Sequence, residues 1–262
     1  MSNLSVALVQ TDIVWEDTAN NLNNLSKKLA SISEKVDLIV LPEMFTTGFT
    51  MNVDSVKEKI EGEAYNWMKK MSQKLDCAIY GSVITEDEGG IYNRGYFFFP
   101  DGSHKIYDKK HLFTLAGEDK VFTAGSTRKV IDYKGWKIMP QICYDLRFPV
   151  WSRNNLEYDL LLYIASWPKK RKFHWNSLLP ARAIENMSYV VAVNRVGSDD
   201  NNLDYSGNSK AIDYSGEIVA AAKEETEEIV IVHLDKEKQS NFREQFAFLK
   251  DMDDFIITHF TG

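Results

Sequence analysis

Short apolar runs recur along the chain: VALVQ at 6–10, LIVLPE at 38–43, AIYGSVI at 78–84, YFFFP at 96–100, KIMPQIC at 137–143, LLLYIAS at 160–166, YVVAVNRVG at 189–197 and EIVIVHL at 228–234. Several are almost continuously apolar, the pattern of strands covered on both faces. Between them the period changes. Leu22, Leu25, Leu29 and Ile32 recur at spacings of three and four, which predicts an amphipathic helix over 18–35. Trp67, Met68, Met71 and Leu75 predict a second over 63–75, and 173–188 a third, kinked or broken at Pro180. Glu88-Gly89-Gly90, Pro100-Asp101-Gly102 and Tyr214-Ser215-Gly216 are turn signals. The runs flanking them read as hairpins, so the expected sheet is mixed.

No low-complexity linker divides the 262 residues and no 20–50-residue repeat is visible. The expectation is one domain over 1–262, with 239–262, charged and aromatic (NFREQFAFLKDMDDF), as a C-terminal arm seeking a surface to cover it. Such a length buries a sizeable core without a staple. A net charge of -7 argues against non-specific nucleic-acid binding, which depends on neutralising phosphates. No stretch approaches the roughly 20 apolar residues of a membrane span, and the N-terminus lacks the basic and long apolar regions of a secretory signal. The two cysteines, Cys77 and Cys143, have no CxxC spacing, and the five histidines are scattered. A reduced, cytoplasmic setting without a sequence-local metal site is expected.

Three ionisable residues follow apolar runs: Glu43 ends LIVLPE, Lys109 follows HKIY and Cys143 ends KIMPQIC. Each has a bland reading. A cysteine after a strand is more often core filler than nucleophile, and Cys77 fits that description. A glutamate there is commonly solvated, and a lysine in YDKKHLF commonly a surface charge. Together they make a catalytic set. A glutamate in a partly buried site can take the thiol's proton, and a thiolate is a nucleophile. A fixed lysine can hold the charge growing on an attacked carbonyl oxygen. Backbone N–H groups after Cys143, where a helix is expected to begin at Asp145, would share that charge.

LPEMFTTGF, YDKKHLF and QICYDLRFP stand in this order, with 66 residues from Glu43 to Lys109 and 34 from Lys109 to Cys143. With ASWP at 165–168, ARAIEN at 181–186 and NRVG at 194–197, the chain resembles the nitrilase superfamily of carbon–nitrogen hydrolases over nearly its whole length, and within it the bacterial omega-amidase branch. The resemblance implies an α-β-β-α sandwich of two mixed sheets flanked by helices, a four-layer subunit packing helix to helix in a homodimer or higher homo-oligomer. It implies Glu43 as general base, Lys109 (two residues before His111) as oxyanion-stabilising lysine and Cys143 as nucleophile. Glu118 is the match to a second active-site glutamate that positions the lysine or the substrate amide, with Asp119 the neighbouring alternative. No metal or organic cofactor is implied. The substrate implied is a short 2-oxo dicarboxylic acid monoamide, such as 2-oxoglutaramate or 2-oxosuccinamate. It is cleaved to acid and ammonia through a thioester.

For Arg147, four residues past Cys143, the resemblance implies a ligand to the substrate carboxylate. The competing reading is an ion pair with Asp145 or Glu185. The basic run Lys169-Lys170-Arg171-Lys172 is either a solvated loop or a cationic rim over the pocket. Tyr144, Phe113 and Trp167 are candidate pocket walls, each equally readable as packing. The rival functions are an N-carbamoyl amino acid amidohydrolase or other aliphatic amidase of the superfamily, a non-catalytic scaffold, and a thiol protease using His111 or His174 as base.

Overall fold

The computed structural model describes residues 3–258. Two mixed sheets stack face to face. The first holds β1 (Leu4–Gln10), β2 (Leu38–Val40), β3 (Glu58–Lys59), β4 (Ala78–Asp87), β5 (Gly90–Phe98), β6 (His104–Asp108) and β15 (Glu228–Leu234), in the order β15-β1-β2-β4-β5-β6 with β3 beside β4. The second holds β7 (Ile131–Tyr133), β8 (Trp136–Ile142), β9 (Leu160–Ala165), β10 (Tyr189–Asn194), β13 (Lys210–Ile212) and β14 (Ile218–Ala221), in the order β14-β13-β10-β9-β8-β7. A small ribbon of β11 (Val196–Ser198) and β12 (Asp204–Ser206) stands apart.

Strand alternation builds three apolar layers. Leu4, Val6 and Leu8 of β1 meet Ile138 and Ile142 of β8 and Leu160, Leu162 and Ile164 of β9 between the sheets. The opposite face of the first sheet is covered by α1 (Thr18–Ala30) and α3 (Glu63–Leu75) through Leu22, Leu25, Leu29, Met68 and Met71. The opposite face of the second is covered by α5 (Lys172–Asn186) through Trp175, Leu179 and Ala183. The subunit is therefore the expected α-β-β-α sandwich. Three short or terminal helices complete it: α2 (Val53–Val56), α4 (Pro149–Ser152) and α6 (Lys236–Phe246).

Local differences from the sequence expectations have local causes. The first helix stops at Ala30 because the Ser31 hydroxyl donates to the Lys28 carbonyl, closing the last turn. The helix α5 continues through Pro180, so the proline removes one bond without ending it. The run 189–197 breaks at Arg195, whose buried side chain crosses to Ile13 and Asp12. Tyr133, β13 and β14 lie in stretches too short or too exposed to read as strands. The three turn signals do join hairpins, β4–β5, β5–β6 and β13–β14. The arm begins inside α6, where Gln239 and Arg243 bond to the Asp159 region; 259–262 lie outside the described residues.

The topology places the chemistry at one edge. Strands β1, β2 and β4 are parallel, and β6 runs with them because two antiparallel pairings separate it from β4. In the second sheet β8, β9 and β10 are parallel. Glu43 lies just beyond β2, Lys109 after β6, Cys143 after β8 and Ser166 after β9, all at carboxyl ends, where open α/β sheets gather functional groups.

Candidate active site

The backbone turns sharply where the side chains must be presented. Cys143 has φ +45° and opens a 3₁₀ turn, Cys143–Arg147, directly on the end of β8. A left-handed non-glycine residue costs of order 1–3 kcal/mol and persists only where its surroundings hold it. The expected helix start at Asp145 is thus two residues late, and the turn is tighter than an α-helix. Asp145 is the hub that holds it. Its fully buried carboxylate accepts from the Ile142 N–H (3.1 Å), the Tyr107 hydroxyl (2.7 Å), the His111 N–H (2.9 Å) and His111 Nδ1 (2.8 Å). From the other side Arg182 of ARAIEN donates to the Leu146 carbonyl at 2.7 Å.

Glu43, Lys109 and Glu118 form one fully enclosed cluster. Lys109 Nζ donates to Glu43 Oε1 at 2.9 Å and to both oxygens of Glu118 at 2.9 Å. Glu43 also accepts from Asn93 Nδ2 (2.8 Å) and the Ser166 N–H (2.8 Å), the latter joining the two sheets. Glu118 accepts from the Phe113 N–H at 2.5 Å, while Asp119 beside it is exposed, which separates the two acidic positions. Burial alone would lower the Lys109 pKa, but Glu118 and Glu43 outweigh it and raise it, so the ammonium is permanent. Burial raises the Glu118 carboxyl, Lys109 draws it back, and repulsion from Glu43 adds to the rise.

Cys143 is half-buried and reaches the same cluster. Burial pushes its thiol well above the ordinary value, and Glu43 repels the thiolate further, against the pull of Lys109. The resting group is therefore the thiol. Cys77, wholly buried in the helix-side core, is pushed up to about 12 and takes no part.

A cavity of about 610 Å³ opens onto Cys143 and Lys109. Phe113, Tyr144, Arg147 and Trp167 all line it, as do Trp15, Phe49, Tyr205 and Arg171. Arg147 pairs with neither Asp145 nor Glu185. Its guanidinium lies over the Trp167 ring (4.8 Å) and donates to His174 Nδ1 at 3.0 Å, while Glu185 pairs with Arg182. The basic run divides. Lys169 and Lys172 pair with Glu225 and Glu224 on the surface, Lys170 is exposed, and only Arg171 joins the cavity.

Sequence reasoning missed Asn93, Ser166 and Asp145, although Ser166 and Asp145 lie inside quoted motifs. The motif NRVG also has a structural office. Asn194 accepts from the Trp167 N–H at 2.7 Å and donates to the Trp167 carbonyl at 3.0 Å, clamping the ASWP loop at the pocket wall.

Layers and site together define a class: a two-sheet αββα protein with a half-buried thiol against an acid–lysine–acid cluster. The chain belongs to the carbon–nitrogen hydrolase family, whose model matches residues 5–244. It is 46% identical over 257 residues to omega-amidase YafV of Yersinia enterocolitica, covering 98% of this chain and 100% of the relative. It is 34% identical to 2-oxoglutaramate amidase of Bacillus subtilis, covering 95% and 97%. Among solved structures it resembles XC1258 of Xanthomonas campestris, a CN-hydrolase superfamily protein with an arsenic adduct in its active site. The TM-score is 0.96 at 38% identity, with 98% and 100% covered.

Proposed function

We propose that this carbon–nitrogen hydrolase is a cysteine-dependent omega-amidase that cleaves the terminal amide of short 2-oxo dicarboxylic acid monoamides. The observation that carries the reading is the Glu43–Lys109–Glu118 cluster set against Cys143 in a cavity that also presents Arg147. The names and extents of the omega-amidase relatives support the substrate class.

The chemistry follows from the positions. Glu43 takes the Cys143 proton as sulfur attacks the amide carbon, so the costly thiolate forms only as it bonds. Lys109 donates to Glu43 and to both oxygens of Glu118 in the resting site, and its ammonium supplies the positive charge that the oxyanion meets as it forms. Collapse breaks the C–N bond, and Glu43 returns the proton to the departing ammonia. Water then attacks the thioester carbon, Glu43 accepting its proton, and the acid leaves as Cys143 is reprotonated. Glu118 holds the lysine in place. Arg147 binds the distal carboxylate, its guanidinium matching a planar anion by paired hydrogen bonds, and Phe113, Tyr144 and Trp167 wall the pocket.

The protease reading lacks its base. His111 is spent on Asp145 and stacked on Phe148, and His174 is exposed against Arg147. A scaffold would be expected to lose part of the glutamate–lysine–cysteine set, and this chain keeps it. We further read the chain as one domain acting in the cytoplasm as a homodimer, with the aromatic arm contributing to the contact.

The test is ammonia release from 2-oxoglutaramate, 2-oxosuccinamate, glutamine, an N-carbamoyl amino acid and a nitrile. Turnover of the two oxo-amides, abolished in Cys143→Ala, is expected. Activity confined to the carbamoyl compound would reject the omega-amidase assignment.

A further inference from the structure

Two guanidiniums line one cavity, and the two carboxylates that line it with them are engaged elsewhere, Glu16 by Thr50 and Asn52 and Asp199 by Tyr205. Among the described residues, Arg147 and Arg171 have no ion-pair partner, whereas Lys169 and Lys172, the near neighbours of Arg171, each have one. Arg171 is held rather than loose. Trp167 Nε1 donates to its carbonyl at 2.8 Å, and its guanidinium lies 5.1 Å from the centroid of the Phe113 ring. Arg147 is braced the same way on the other aromatic wall, over Trp167. A planar cation on a ring keeps its N–H edge free. Two such edges facing one cavity repel each other, and an anion placed between them relieves that repulsion. The Arg171 pKa is lowered by burial, with Arg147 adding to the fall.

We propose that Arg171 is a specificity-determining residue that, with Arg147, grips the far end of the substrate. It selects amides ending in a carboxylate with an acceptor oxygen on the adjacent carbon. The inference rests on the omega-amidase reading and extends it. One guanidinium takes two of a carboxylate's roughly four acceptor sites; a second gives the neighbouring oxo group and the remaining lone pairs a partner. The run at 169–172 therefore acts through one side chain aimed inward, while its lysines stay with surface acids.

The experiment has a binding arm and a turnover arm. In a Cys143→Ala background, 2-oxoglutarate is titrated by calorimetry. Arg171→Ala should weaken its binding about tenfold to hundredfold, the loss of a charge-assisted contact, with Arg171→Lys intermediate. Lys170→Ala, which removes one positive charge nearby, should leave it unchanged. In the active enzyme, Arg171→Ala should raise KM for 2-oxoglutaramate by a similar factor, keep kcat within about threefold, and spare turnover of uncharged butyramide. Three results overturn the inference: no dicarboxylate binding to Cys143→Ala, equal binding with and without Arg171, or an equal loss on butyramide. Arg171→Gln, which keeps the stacking and most of the volume, repeats the test should the alanine variant melt early. If the wild-type enzyme releases no ammonia from any oxo-amide, the functional reading fails, and the binding arm still judges Arg171.

Discussion

Lys109 has two enclosed carboxylates to satisfy, so the proposed oxyanion donor is a structural group as well. Removing it leaves Glu43 and Glu118, each fully buried, without their cation. Breaking a buried ion pair from one side costs roughly 3–5 kcal/mol. Lys109→Ala should therefore lose turnover and also melt early in urea, whereas Lys109→Ala with Glu118→Gln should regain part of the stability and none of the activity. The pH dependence has a definite sign. Glu118 is already raised, and without the lysine it rises further, so the folded state binds a proton the unfolded state has released. Stability of the single variant should then fall as pH climbs above the ordinary carboxylate range, and the double variant should lose the share of that slope that Glu118 contributes. A single variant as stable as its parent at pH 8 would refute this account. The two thiols separate in the same manner. Iodoacetamide should modify one equivalent in the native protein, at Cys143, with a rate still climbing with pH above about 8.5, the ordinary thiol value, because burial raises this thiol. Cys77 should react only on unfolding. A plateau in the rate below pH 8.5 would show a resting thiolate instead.

At the scale of elements, the elbow after β8 is a strained turn held by a buried carboxylate, and that carboxylate also holds the chain that carries the lysine. Asp145 accepts from Ile142 on one side and from His111, two residues beyond Lys109, on the other. Cys143 and Lys109, the proposed nucleophile and oxyanion donor, follow strands of different sheets, and this shared acceptor links their carriers. Asp145→Asn keeps the shape but has one acceptor oxygen instead of two, so some donors lose their partner at about 1–3 kcal/mol each. The expected result is a lower melting temperature together with a fall in kcat for 2-oxoglutaramate. A variant with lowered stability and unchanged kcat would confine Asp145 to the fold. The element scale also explains what could be read in advance. Strands buried on both faces announce themselves as apolar runs, and QICYDLRFP betrays a turn because the run stops on a reactive residue. Asn93 gave no such signal. It lies in IYNRGY, an ordinary strand pattern, and its amide meets Glu43 only through the folded sheet, where it stands opposite Ile84 of β4. Arg171 was legible as charge but not as direction, since four adjacent basic residues leave the sequence silent on which one points inward.

For the whole molecule, the period of the apolar positions made a covered mixed sheet legible and the family resemblance implied the two-sheet sandwich, while its closing parts were legible in neither, because they are held by single long-range contacts. The C-terminal arm is the clearest case. Its helix α6 is mostly exposed and anchors through Gln239 and Arg243 on the turn around Asp159. Beyond it one 3₁₀ turn, Phe248–Asp251, leads into an extended tail, and Ile257 comes to rest against the central core, lining a shallow pocket with His111, Phe148 and Trp151. Phe246, Phe248 and Ile256 are left facing outward at 41%, 57% and 89% exposure, more apolar surface than a solvated tail needs. Two consequences can be measured together on a chain ending at Asp251. If the arm covers a two-fold partner, sedimentation should shift the protein from dimer toward monomer at micromolar concentration. Loss of Ile257 from its place beside His111 and Phe148 should lower kcat/KM without abolishing turnover, since Glu43, Lys109 and Cys143 keep their own supports. A truncated protein that remains fully dimeric would remove the arm from the interface and leave it as cover for His111 and Phe148 alone; one with wild-type turnover would remove that second role as well.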